Sequence, residues 1–225
     1  MQLEVRVAFG LGLFALFLAA TIFGFAGTVD YWQGWAYLAV FLGCSAAITA
    51  YLLRHDRALL ERRMRGGPVA EERAVQRVIM WFASIGFLAL VGIPGLDVRR
   101  GWSGEVSPWA VACGLALVGI AFYLIYRVYR VNSFTAATIQ VEEGQPVIST
   151  GPYAVVRHPM YSGGVMMFVG TPLALGSYWG LIAAVGLTAV IVWRLVDEER
   201  FLAESLRGYS DYRRRVRWRL VPGLY

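Results

Sequence analysis

Four uninterrupted apolar runs, at about residues 5–26, 31–53, 77–96 and 107–126, each have the length a helix needs to cross a bilayer. A fifth apolar region, 160–196, is broken at Gly176-Ser177-Tyr178-Trp179-Gly180 and reads as two antiparallel helices joined by a tight turn. Its first arm, about 160–175, is short for a full crossing. Hydrocarbon offers no water to bond exposed N–H and C=O groups, so runs of this kind must satisfy them internally as helices. Composition agrees: 58% of residues are hydrophobic and 16% charged, where a soluble domain carries roughly a quarter charged residues. The expected fold is an all-α integral membrane protein with five to six transmembrane helices. It forms a single membrane domain over residues 1–225, with four helices in 1–126 and the remaining apolar hairpin and a polar tail in 127–225. The first run is longer than the roughly 7–15 residues of a signal-peptide core, and Glu4 offsets Arg6, so it reads as a retained helix.

Charge orients the chain. All 21 basic residues are Arg; seven lie at 54–77, three at 127–157 and eight at 194–219, so 18 of 21 fall on one side of the expected membrane. Only Arg99 and Arg100 fall on the other, offset by Asp30, Asp97 and Glu105. The positive-inside rule then places the N-terminus, the 54–76 loop, the 127–158 segment and the C-terminal tail in the cytoplasm. The net charge of +6 is mostly this topology plus attraction to anionic membrane lipids. It is not a nucleic-acid footprint, which would need a basic soluble module.

Several chemistries are excluded early. Cys44 and Cys113 lie inside apolar runs with no CxxC neighbour. The two His residues, His55 and His158, form no ligand cluster, so no metal site is expected. Gly10 and Gly12 follow no strand and are not a dinucleotide loop. Gly114 and Gly119 read as small residues that permit close helix packing.

Two polar blocks remain. The first is GPYAVVRHPMYSGG, Gly151 to Gly164. Pro159 disfavours the helical region for His158 and suits the first position of a helix. A helix starting there puts His158 at its mouth, Arg157 just outside, and the free N–H groups of Met160, Tyr161 and Ser162 at an anion site. Read by itself the string is equally a membrane helix beginning with Pro between interfacial Arg, His and Tyr anchors. The second block is RLVDEERFLAESLRGYSDYRRRV, Arg194 to Val216. Arg194, Glu198 and Phe201 share one face of a helix leaving the membrane. Asp197, Glu198 and Glu199 oppose the positive-inside trend, which reads either as a solvated helix end or as carboxylates turned toward a cationic ligand. The tail after them, with Tyr209, Tyr212 and Arg213-Arg214-Arg215, reads as a short amphipathic helix against the headgroups.

Together GPYxxVRHPMYxG and the Arg194–Val216 block resemble the C-terminal signature of the isoprenylcysteine carboxyl methyltransferase and phospholipid methyltransferase family of integral-membrane enzymes. The resemblance covers about residues 130–222, including Asn132-Ser133-Phe134. It implies an S-adenosylmethionine-dependent methyltransferase with a cytoplasmic C-terminal cofactor site, acting on a lipophilic or small-molecule acceptor. Gln145, Gly151, Tyr153, Arg157, His158, Tyr161, Glu198 and Glu199 are the expected cofactor-binding residues, and Arg194 and Glu198 the catalytic ones. Eukaryotic members commonly carry a His in the connector where this chain has Gln145, so the cofactor transfers better than the prenylcysteine substrate. The exclusive use of Arg suggests a GC-rich prokaryote and its cytoplasmic membrane.

The cofactor's charges suit these blocks. The helix start, aided by Arg157 or His158, suits its carboxylate. Glu198 or Glu199 suits its ammonium or ribose, and Tyr153 or Tyr161 its sulfonium. A carboxylate acceptor, oriented by Arg194, would need no base; an amine, thiol or phenol would need His158 or a carboxylate. Sterol reductases resemble the same signature and would use NADPH, with Arg157 and Arg213–Arg215 at its 2′-phosphate. A non-catalytic membrane protein of the same fold is the third class. No obligate protein partner is evident.

Overall fold

The computed structural model describes every residue except 1, 65, 67, 68, 70, 72, 136, 137, 139, 140, 142 and 143. Among the described residues eight α-helices follow one another: α1 (Leu3–Ala26), α2 (Trp32–His55), α3 (Arg57–Met64), α4 (Ala74–Arg100), α5 (Pro108–Tyr129), α6 (Pro159–Ala174), α7 (Gly180–Ser205) and α8 (Tyr209–Arg215). Gly151–Ala154 adds one 3-10 turn. There is no strand among the described residues. Helices α1, α2, α4, α5 and α7 are long and apolar enough to cross a membrane. Helix α6, with 16 residues, is about 24 Å long. It still runs from one end of the bundle to the other. Its far end meets the α1–α2 turn, where the Tyr31 hydroxyl donates to the Leu175 carbonyl.

The apolar break expected at 176–180 is where α6 stops and α7 begins. Buried Asp97 of α4 fixes this turn, accepting from Ser177 Oγ at 2.5 Å and from the Ser103 amide at 2.7 Å. Helices α5 and α6 pack against each other with backbones almost touching. A Cβ on Gly114 would collide with the Ala174 backbone, and one on Gly170 would lie 2.9 Å from the Gly114 carbonyl. Gly119, by contrast, faces open space, so only Gly114 of the two serves close packing.

The 54–76 segment is not a simple loop. Asp56 caps α3 there, its Oδ1 accepting from the Leu59 amide at 2.9 Å. Leu59 and Leu60 are buried with Val7, Leu52 and Tyr129. Within this segment Arg65 lies outside the described residues, as do Glu142 and Glu143 of the later connector.

The start of α1, the end of α2, α3, the start of α4, the end of α5, the start of α6 and the end of α7 gather at one end of the bundle. Both polar blocks sit there.

Candidate active site

Pro159 is the first residue of α6 and His158 its N-cap, which follows from proline's fixed φ and missing N–H. The chain after α8 crosses this turn as a strap. Arg157 N and His158 N donate to the carbonyls of Trp218 and Arg219 at 2.9 and 3.0 Å, and Ser162 Oγ donates to Leu220 O at 2.6 Å. The helix start is thus less open than the sequence suggested. The Ser162 amide is bonded to the His158 carbonyl. Arg157 is not outside the helix mouth but buried, its Nη1 donating to Val216 O and Arg217 O at 2.9 and 2.8 Å.

Successive residues of a helix point about 100° apart, and this separates the three acids of α7. Asp197 turns to α4, accepting from Arg73 Nη1 and Nη2 at 2.7 and 3.0 Å and from Gln76. Glu199 turns to the strap and is buried. Its Oε1 accepts from Arg157 Nε at 2.6 Å and lies 3.2 Å from His158 Nε2, while its Oε2 accepts from Arg219 Nε at 3.0 Å. Glu198 turns inward to a cavity. Among the described residues only its Oε2 is engaged, by the Tyr161 hydroxyl at 2.5 Å. The Tyr161 oxygen in turn accepts from Arg194 Nε at 3.0 Å, and Arg194 Nη2 donates to buried Glu71 at 2.8 Å. A chain Glu71–Arg194–Tyr161–Glu198 therefore fixes a cavity-lining carboxylate whose other oxygen has no partner among the described residues.

The cavity has a volume of about 380 Å³, within the range of small-molecule sites. Of the expected residues, Gln145, Tyr153, Arg157, His158, Tyr161, Arg194 and Glu198 line it. Gly151 and Glu199 do not. Gly151 holds a φ of +58° in the turn before Tyr153, and Glu199 stands behind Arg157 and His158. Tyr153 is held at both ends, its hydroxyl oxygen accepting from Asn132 Nδ2 at 2.9 Å and its carbonyl from the Tyr212 hydroxyl at 2.8 Å. Burial pushes the Tyr153 and Tyr209 phenols well up and that of Tyr212 to about 12, so all three are neutral donors or walls at neutral pH. One face of Tyr161 is covered by the His158 ring, stacked at 5.6 Å. On its apolar side the cavity is bounded by Ile79, Met80 and Ala83 of α4 and Val190 and Ile191 of α7.

Comparison with known proteins bears on this arrangement. Residues 109–208 match the phospholipid methyltransferase family. The match begins with α5 and ends at the turn into α8, so it contains Gln145, the RHP turn, Arg194 and the three acids. The chain is 36% identical to a protein-S-isoprenylcysteine O-methyltransferase B of Arabidopsis thaliana, over 56% of this chain and 63% of that protein. It is 42% identical to a methanethiol S-methyltransferase 2 of Bradyrhizobium diazoefficiens, over 32% of this chain and 27% of that protein. It is 30% identical to a Delta(14)-sterol reductase of Mus musculus, over 39% of this chain and 22% of that protein. The chain thus spans less than two thirds of the length of each of these relatives.

Sequence reasoning placed the 54–76 loop and the tail with Tyr209 and Arg219 at this end, but missed Glu71 as the partner of Arg194, Arg219 as the partner of Glu199 and Tyr209 as a cavity-lining residue. Glu71 lies 123 positions from Arg194, and no local spacing signals such a partner. Arg219 was one Arg among many in a basic tail.

Proposed function

We propose that this protein is a membrane methyltransferase that takes its methyl group from S-adenosylmethionine, bound in the cavity, and passes it to a lipophilic or small-molecule acceptor. The observation that carries this reading is Glu198, a cavity-lining carboxylate with one oxygen unpartnered among the described residues, in a stretch matching the phospholipid methyltransferase family.

The residues present suit that ligand. Glu198 offers an acceptor for its ammonium, Tyr153 and Tyr161 offer aromatic surface, and the connector residues Gln145 to Ile148 close the cavity beside them. When bound, the cofactor supplies an electrophilic methyl group. The protein's part is to align the acceptor and exclude water. Arg194 acts here through Tyr161: by donating to the phenol oxygen it leaves the Tyr161 proton directed at Glu198 and fixes that carboxylate. The charge of Arg194 is already matched by Glu71, so an anionic acceptor would have to compete with a buried ion pair. The apolar seam between α4 and α7 suits a lipophilic acceptor arriving from the bilayer. The cofactor end then faces the cytoplasm, where the Arg-rich surface belongs.

The reductase reading loses the groups it needs. Arg157 is committed to Glu199 and the strap carbonyls, and Arg213–Arg215 are exposed on α8 and do not line the cavity. The test is thermal melting of the purified protein with S-adenosylhomocysteine and, separately, with NADPH. A ligand at 100 times its Kd stabilises the folded state by about 2.7 kcal/mol. We expect an upward shift with S-adenosylhomocysteine and none with NADPH. Stabilisation by NADPH alone would overturn the proposal.

A further inference from the structure

Five successive carbonyls of the strap after α8, from Val216 to Leu220, each accept a hydrogen bond from the RHP turn or the first turn of α6. The Arg157 side chain reaches those of Val216 and Arg217, the Arg157 and His158 amides those of Trp218 and Arg219, and Ser162 Oγ that of Leu220. A run of backbone acceptors without a gap is a built seat for the turn. All of it lies beyond residue 208, where the match to the family ends.

One side chain of the strap adds a charge. Arg219 Nε donates to Glu199 Oε2 at 3.0 Å, leaving Oε1 to Arg157 and to His158 Nε2. Arg219 does not line the cavity, whereas His158 does, so the contact of Arg219 with the site runs through Glu199. The groups facing His158 are Glu199 on α7, Arg157 in the turn, Arg219 on the strap and, stacked on its ring, Tyr161 on α6. Glu198 stands beyond Tyr161, bonded to its hydroxyl. Within this cluster Glu199 alone meets two guanidinium groups. The charge of Arg219 therefore makes a proton on His158 a surplus buried cation rather than the partner that Glu199 lacks.

Resting on the methyltransferase reading, we propose that Arg219 is a positioning residue of the cofactor site: through Glu199 it keeps the cavity-lining His158 ring in place and uncharged. A charged imidazole there would repel the sulfonium of S-adenosylmethionine.

The test uses the full-length protein, which has two histidines. In a His55→Gln parent His158 is the one imidazole left, and its NMR signal reports its titration without any ligand. Taking a positive charge away from an imidazole favours the protonated form, so Arg219→Gln should titrate at higher pH than the parent. Arg219→Lys, which keeps the charge, should titrate close to the parent, as should Arg217→Gln, an exposed neighbour. The Arg219 side chain is 35% exposed and Glu199 retains Arg157, so the fold should survive; melting is read first, and Arg219→Met, which keeps the apolar stem, is the second variant. Binding gives the other readout. Relative to the parent, Arg219→Gln should lose affinity for S-adenosylmethionine as the pH falls, with a smaller loss for S-adenosylhomocysteine, which has no sulfonium. An unmoved His158 titration in the Gln and Met variants, or a loss shared equally by the two ligands, makes the contact structural only and overturns the inference, leaving the methyltransferase reading in place. Failure of the parent to bind either ligand overturns that reading and the cofactor role of Arg219 with it.

Discussion

Glu198 and Glu199 are adjacent, chemically identical, and held in opposite ways. Glu199 is enclosed by Arg157, His158 and Arg219, and removing its charge leaves the buried Arg157 guanidinium unmatched. Breaking a buried pair in this way costs on the order of 3 kcal/mol or more. Glu198 has one oxygen in the cavity without a partner among the described residues, and in the proposed function its change to Gln removes a ligand contact while keeping an acceptor for the Tyr161 hydroxyl. We therefore expect Glu199→Gln to lower the melting temperature markedly. Glu198→Gln should melt close to the wild type but bind S-adenosylhomocysteine about one to two decades more weakly. Melting and titration of the two variants side by side check this, and the reverse pattern would exchange the roles of the two acids. From the sequence either carboxylate could face the cofactor, and only Glu198 was also expected to be catalytic. One helical step separates them, and what decides their roles is a strap and a turn 20 and 42 positions away.

At the scale of elements, the site depends on how α6 is hung on α5. Helix α6 carries His158 at its mouth and Tyr161 in its first turn, and its depth in the bundle is fixed where Gly114 and Gly170 let the two backbones meet. Gly114→Ala places a methyl group against the Ala174 backbone, which cannot move aside as a flexible side chain does. Overpacking of this kind costs about 1–3 kcal/mol. Gly119→Ala, one and a half turns along the same helix, enters open space and should leave stability unchanged. Melting temperatures of the two variants test this, and equal effects would mean that the helices are not in the contact described. The long helices, the break at 176–180 and the start of α6 at Pro159 were legible in the sequence because each is set locally, by apolar length or by proline and glycine. Helix α3 was not, since its eight residues have no apolar period and are held by Leu59 and Leu60 docking on distant helices. In the site, the residue types and blocks were legible. The Glu71–Arg194 pair and the strap over Arg157 were not, because both join segments remote in sequence.

The whole molecule is polarised from one end of the helix bundle to the other. Apart from Arg99 and Arg100, every described arginine lies at the end that holds the cavity, while exposed tryptophans mark both ends, Trp32, Trp35, Trp102, Trp109 and Trp179 at the far one and Trp81, Trp193 and Trp218 toward the cavity. Tryptophan favours the membrane interface and arginine the cytoplasmic side. Six passes, the five long helices and α6, return the chain to the end where it began, so the polar blocks on either side of α6 and α7 share one face. This face is expected to be cytoplasmic, where a soluble cofactor can reach the cavity. Single cysteines placed in the full-length chain at Glu105 and Arg214, both exposed, report the two faces. In a background with Cys44 and Cys113 replaced, a membrane-impermeant maleimide should label Glu105→Cys in intact cells and Arg214→Cys only after permeabilisation. Labelling of both in intact cells would break the six-pass count. Exchange of the two patterns would turn the cavity away from the cytosol and remove the route by which S-adenosylmethionine reaches Glu198.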